Sequence, residues 1–185
     1  MNPLAPGRLA TRRAYEGRLL KVDADSVRAP DGTTIELEIV RHPGAAAVVP
    51  MLSAPGDPDP QILLLRQYRY AAGGTIWEIP AGVLNPGEDP LACAHRELQE
   101  ETGALATRME RLTTIYTTPG FTDEQIHLFW ATGITVGEHK READEFIDVR
   151  VEPLSRVLEM IRAGEIQDGK SIIALLYVAG FRLGF

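Results

Sequence analysis

Residues 82–104, GVLNPGEDPLACAHRELQEETGA, constrain this 185-residue chain more than any other stretch. Asp89 followed by Pro90 reads as the N-cap and first residue of a helix. Gly103 reads as its left-handed stop. On the helix between them Glu97, Glu100 and Glu101 stand at i, i+3 and i+4, so three carboxylates share one face. Leu91, Ala94 and Leu98 form the neighbouring apolar stripe, which has to bury. Any fold for this chain must therefore cover one side of the helix and leave an acidic edge beside it. Like charges at this spacing cost roughly 0.2–0.5 kcal/mol per pair on an open helix, and more in a cleft. Hard divalent cations such as Mg²⁺ or Mn²⁺ prefer oxygen ligands and reverse that sign. The plainer alternative is a solvated acidic face. The flanking turn GVLNPGEDP and Arg96, embedded among the acids, speak against it.

Gly82, Glu88, Arg96, Glu97, Leu98, Glu100, Glu101, Gly103 and Ala104 stand at the spacing G-x5-E-x7-R-E-U-x-E-E-x-G-U, with U apolar. This pattern resembles the Nudix box and departs from it only in the small Ala104 at the last apolar position. The resemblance implies a metal-dependent hydrolase of nucleoside diphosphates linked to another group. The fold it implies is an α/β/α sandwich with a mixed sheet over residues 44–185. Glu97 and Glu101 are then direct metal ligands and Glu100 a further one, and by resemblance the backbone carbonyl of Ala81 joins them. Gly82 permits the turn that aims such a carbonyl at the helix. In the family Glu88 and Arg96 act mainly as an ion pair tying loop to helix.

Elsewhere the patterning is mostly β. Residues 1–10, with two prolines and a glycine, read as a loose tail, and Arg8, Arg12 and Arg13 as a basic patch or as solvated charges. Strands are expected at 18–23, 25–29 and 33–40, with Asp31-Gly32 turning between the last two. They make a small N-terminal antiparallel sheet in a module spanning residues 1–43. Residues 45–52 are continuously apolar, which predicts a strand buried on both faces. Further strands are expected at 61–67, 76–80, 112–117, 125–132 and 146–151. Helices follow at 153–163 and 172–179, the latter capped by Ser171. Strands, one central helix, more strands and two late helices give an α/β class with a mixed, helix-covered sheet.

Pro119, in TTPGFTDEQ sixteen residues beyond Gly103, resembles a mark of the ADP-ribose pyrophosphatase subgroup, although a plain turn explains it equally well. RQYRYAAGGTIWEIPAG, ahead of the box, is similar to the same subgroup. So is the N-terminal strand module, which in those relatives helps to form a homodimer. The function implied is hydrolysis of ADP-ribose to AMP and ribose 5-phosphate. GDP-mannose is the hardest alternative substrate to exclude, because its hydrolases share much of this architecture. A second class, a non-catalytic ADP-ribose sensor, calls for a DNA-binding segment and a damaged box, and neither is present in this sequence.

For substrate, Arg69 matches an arginine that contacts it in the subgroup, and a guanidinium suits phosphate. Arg66 is a second candidate, or a partner for surface acids. Trp77, beside Glu78 and the catalytic loop, either stacks on a base or fills the core, and Tyr68 and Tyr70 carry the same ambiguity. Relatives draw a general base from a later loop, here READEF; Glu145 is the first choice and Glu142 the second, against the alternative of a merely solvated loop. The four histidines show no metal-ligand spacing. The net charge of −7 argues against nucleic acid as a partner. A lone Cys93 fits a reducing cytoplasm and reads as a small buried residue. The run at 172–181 is too short to span a membrane.

Overall fold

Three strands open the chain: β1 (Arg8–Glu16), β2 (Lys21–Arg28) and β3 (Thr34–Arg41), antiparallel in the order β1-β2-β3. The computed structural model describes residues 7–18, 20–54, 56–137 and 146–185. The β2–β3 turn forms at Asp31-Gly32 as its residues dictate: Gly32 takes a φ of 86°, and Asp31 accepts the Thr33 N–H at 2.9 Å. Two expectations need correction. β1 begins within the stretch read as a tail, and β2 runs unbroken where two strands were expected. Asp23 and Asp25, which resemble turn residues, instead bury their carboxylates against cations. Asp23 accepts from Arg13 at 2.5 Å and from Arg41 at 3.0 Å, while Asp25 pairs with Arg41 and accepts the Thr11 hydroxyl at 2.7 Å. Paired in this way, both aspartates lie within the strand at 5% and 4% exposure.

The chain divides into two compact units, residues 1–44 with 116–125, and residues 45–115 with 126–185. The second carries β4 (Ala45–Pro50), β5 (Gln61–Arg69), β6 (Gly74–Glu78), β7 (Ala81–Val83), α1 (Pro90–Thr102), most of β8 (Ala104–Tyr116) and of β9 (Gln125–Val136), β10 (Ile147–Pro153), α2 (Leu154–Arg162) and α3 (Gly169–Val178). One sheet is ordered β7-β4-β9-β8; β4 pairs antiparallel with β7 and parallel with β9, which makes the sheet mixed. The other is ordered β10-β5-β6, with antiparallel pairing throughout.

Every residue of β4 is buried, as its continuous apolar run requires. Its alternation separates two cores. Ala45, Ala47 and Val49 pack with Leu154, Val157 and Met160 of α2 and with Ala174, Leu175 and Val178 of α3. Ala46 and Val48 pack with Cys93, Ala94 and Leu98 of α1. Helices thus cover both faces, and the unit is an α/β/α sandwich. The N-cap of α3 is Asp168, which accepts the Ser171 N–H at 3.0 Å. Ser171, expected to cap, lies inside the helix, fully buried, and its hydroxyl accepts the N–H of Ile79 at 2.9 Å. No helix among the described residues is long and apolar enough to cross a membrane.

Candidate active site

α1 forms between the signals its sequence carries. Asp89 accepts the Leu91 N–H at 2.9 Å, Pro90 occupies the first turn, and Gly103 ends the helix at a φ of 72°. Burying Cys93, Ala94 and Leu98 turns Glu97, Glu100 and Glu101 toward β7, a short strand within what reads from sequence as loop. Gly82 is needed there for space. A Cβ at this position would lie 1.8 Å from Oε1 of Glu97. The neighbouring Ala81 N–H donates to Oε2 of Glu101 at 3.0 Å.

Arg96 organises the acids. Its Nε and Nη2 donate to Glu88 at 2.8 and 2.9 Å, and its Nη1 donates to Glu97 at 2.5 Å and Glu100 at 3.0 Å. Nη2 also reaches the Val83 carbonyl at 3.1 Å. The Arg96 guanidinium, then the Asn85 N–H, pull the Glu88 carboxyl down to about 2. Glu88 and Arg96 therefore fasten the loop to the helix.

The carboxylates border a cleft of about 380 Å³, lined also by Gln67, Arg69, Ala81, Gly82 and Asn85. Glu97 and Glu101 are 8% and 2% exposed. Gln67, equally buried, has an Oε1 without a hydrogen-bond partner among the described residues. That orphaned acceptor and the three carboxylates make an all-oxygen donor set suited to a hard divalent cation. In the conformation described, Glu97 and Glu100 turn to Arg96 and Glu101 turns to the Ala81 N–H. Among the described residues no three acidic, histidine or cysteine side chains gather closely enough to enclose an ion. The donor types fit a hard divalent cation.

Arg69 grips Glu78 through Nε at 2.7 Å and Nη2 at 3.0 Å. Burial pushes the Glu78 carboxyl up, but Arg69 and Lys170 outweigh it and hold the group below its ordinary range. Glu78 is thus occupied by cations of the chain itself. Across the β5–β6 ladder Arg66 lies opposite Trp77, one position out of phase with Gln67 and Arg69, so both belong to the other face of the sheet. There the Arg66 guanidinium lies 5.3 Å from the Trp77 ring centroid, and Trp77 packs against the α2–α3 core. Neither lines the cleft, whereas Arg69 does. Pro119 belongs to the first unit, and every residue of the cleft belongs to the second. Glu142 and Glu145 lie outside the described residues. Cys93 is fully buried, and burial pushes its thiol up to about 12, so it is no nucleophile. Sequence reasoning missed Gln67, Asn85 and Lys170. A lone amide or lysine has no spacing signal; folding places Gln67 and Asn85 in the cleft and Lys170 of α3 against Glu78.

A family model described as NUDIX domain matches residues 41–175. The chain belongs to the Nudix hydrolase family. It is 41% identical, over 92% of its length and 90% of the relative's, to a methanol dehydrogenase activator of Bacillus methanolicus. It is 37% identical, over 96% of its length and 95% of the relative's, to an ADP-ribose pyrophosphatase of Bacillus subtilis. A solved structure of an ADP compounds hydrolase superposes with a TM-score of 0.79 over 94% of this chain and 92% of that one; at 19% identity this likeness speaks for the fold.

Proposed function

We propose that the enzyme hydrolyses the diphosphate bond of ADP-ribose, one water adding across it to give AMP and ribose 5-phosphate. The observation that carries this reading is the cleft beside α1, where Glu97, Glu100, Glu101 and Arg69 converge. The identity with the Bacillus subtilis pyrophosphatase over nearly the whole of both chains favours ADP-ribose as the substrate. Glu97, Glu100 and Glu101, with the Ala81 carbonyl, would hold Mg²⁺ or Mn²⁺. Such an ion supplies charge neutralisation for the diphosphate and a lowered pKa for the attacking water. Arg69 uses the guanidinium edge not engaged by Glu78 to hold substrate. Glu145, with Glu142 second, takes the proton from water; Glu145→Gln should lower the rate without changing metal affinity.

The catalytic domain on this reading is residues 44–185. Residues 1–43 form a dimerisation module, a role supported by Leu9, Tyr15, Ile35 and Leu37, all more than a third exposed. The lone cysteine favours the cytoplasm. The test is a screen of the purified protein against ADP-ribose, GDP-mannose, NADH, diadenosine polyphosphates and FAD, with Mg²⁺ and with Mn²⁺. ADP-ribose should give the highest kcat/KM, with AMP and ribose 5-phosphate as the products. A preference for GDP-mannose would replace the substrate and leave the hydrolase. The Bacillus methanolicus relative favours a second reading, an action on a dehydrogenase, which an increase in the rate of an added methanol dehydrogenase would support.

A further inference from the structure

The N-terminus of α3 is wired to the cleft by side chains that the chemistry above does not use. Lys170 Nζ donates to Glu78 Oε2 at 2.6 Å and to Asp168 Oδ2 at 2.9 Å. Asp168 caps α3, and Ser171, three residues on, holds the Ile79 N–H two positions before Ala81. On its other side Glu78 takes the two-pronged grip of Arg69. Glu78 is 2% exposed, and a carboxylate so buried is tolerable only while paired. The Arg69 side chain is 43% exposed at the cleft edge, whereas that of Lys170 is 13% exposed and fixed to a helix cap.

We infer that Lys170 is a positioning residue: anchored through Asp168 to α3, it fixes Glu78, and Glu78 in turn fixes the Arg69 guanidinium in the geometry that binds substrate. This rests on the reading of Arg69 as a substrate-holding residue. Among the described residues Nη1 of Arg69 has no carboxylate partner, so the edge that Glu78 leaves open is the edge available to a phosphate. A guanidinium clamped on one side loses less freedom when it binds on the other. Removing Lys170 leaves Glu78 with one partner and frees Arg69 to follow its carboxylate out of register.

The test is a mutant cycle on ADP-ribose hydrolysis with Arg69→Ala, Lys170→Met, Lys170→Arg and the pair Arg69→Ala/Glu78→Gln with and without Lys170→Met, each checked for its melting temperature. Lys170→Met should raise KM by about three- to tenfold with kcat within about twofold, and Lys170→Arg should recover most of the loss. In an Arg69→Ala/Glu78→Gln background, which leaves no buried charge unpaired, Lys170→Met should add less than about twofold, because its route to substrate is already cut. If Lys170→Met does not fold, Lys170→Gln replaces it in the same cycle. An Arg69→Ala variant with wild-type KM would sink the reading of Arg69 and this inference with it. A raised KM in Arg69→Ala beside an unchanged KM in Lys170→Met would overturn the inference alone. So would multiplicative effects in the triple variant, the mark of a general structural loss.

Discussion

Gly82 shows how a single residue is fixed by its neighbour's chemistry. Its Cβ position is occupied by the far end of a flexible side chain, the carboxylate of Glu97, and not by backbone. Gly82→Ala should therefore push that carboxylate aside instead of unfolding the protein. We expect turnover to fall at least about tenfold while the melting temperature moves by only a few degrees, a split seen by assaying and melting the same sample. Glu88 gives a prediction in pH. Its folded carboxyl is drawn down to about 2 from an ordinary 4.5, so between those values the unfolded chain binds more protons. The stability contributed by Glu88 is complete above about 4.5 and is lost as the pH falls toward 2. Melting curves across that window should show the loss in wild type and a shallower dependence in Glu88→Gln. Equal slopes would mean that the pair with Arg96 is not what holds the loop.

At the scale of elements, α1 was legible because everything that specifies it is local. Asp89, Pro90 and Gly103 mark its ends, and Ala94 and Leu98 mark its buried side, whereas Leu91, expected in the same stripe, lies a turn nearer the N-terminus and stays 41% exposed. Asp89→Ala removes the one carboxylate oxygen that accepts the N–H groups of Leu91 and Ala92 and should cost about 1 kcal/mol, measurable by denaturant titration. β4 was equally plain, since an unbroken apolar run has few other destinations. β1, the continuous β2 and β7 were not. The aspartates of β2 look like breakers until Arg13 and Arg41 arrive from strands on either side, and that pairing depends on sheet register. β7 is three residues long, too short for periodicity to register. Asp168 and Ser171 are both good capping residues for α3, so local sequence does not choose between them. The choice falls to the one whose partner is helical N–H, while Ser171 serves Ile79. The same limit hid Lys170, whose partner Glu78 lies 92 residues away in the chain.

At the scale of the molecule, the exposed apolar side chains of the N-terminal strands predict a homodimer. Sedimentation at micromolar concentration should report twice the mass of the chain, and a monomer there would remove the claim. The central claim is that the acidic edge of α1 takes a divalent cation and that catalysis depends on it. A cation bound only to the folded state should stabilise it by about 2.7 kcal/mol at a hundredfold excess over its Kd. The most direct measurement is a titration of metal-stripped protein with Mn²⁺, followed by electron paramagnetic resonance, with ADP-ribose turnover read on the same samples. Wild type should bind Mn²⁺ and gain activity together, whereas Glu97→Gln and Glu101→Gln should bind at least about tenfold more weakly and turn over about a hundredfold more slowly. Mn²⁺ affinity and turnover unchanged in both variants, or full hydrolysis by the metal-stripped enzyme, would contradict the account.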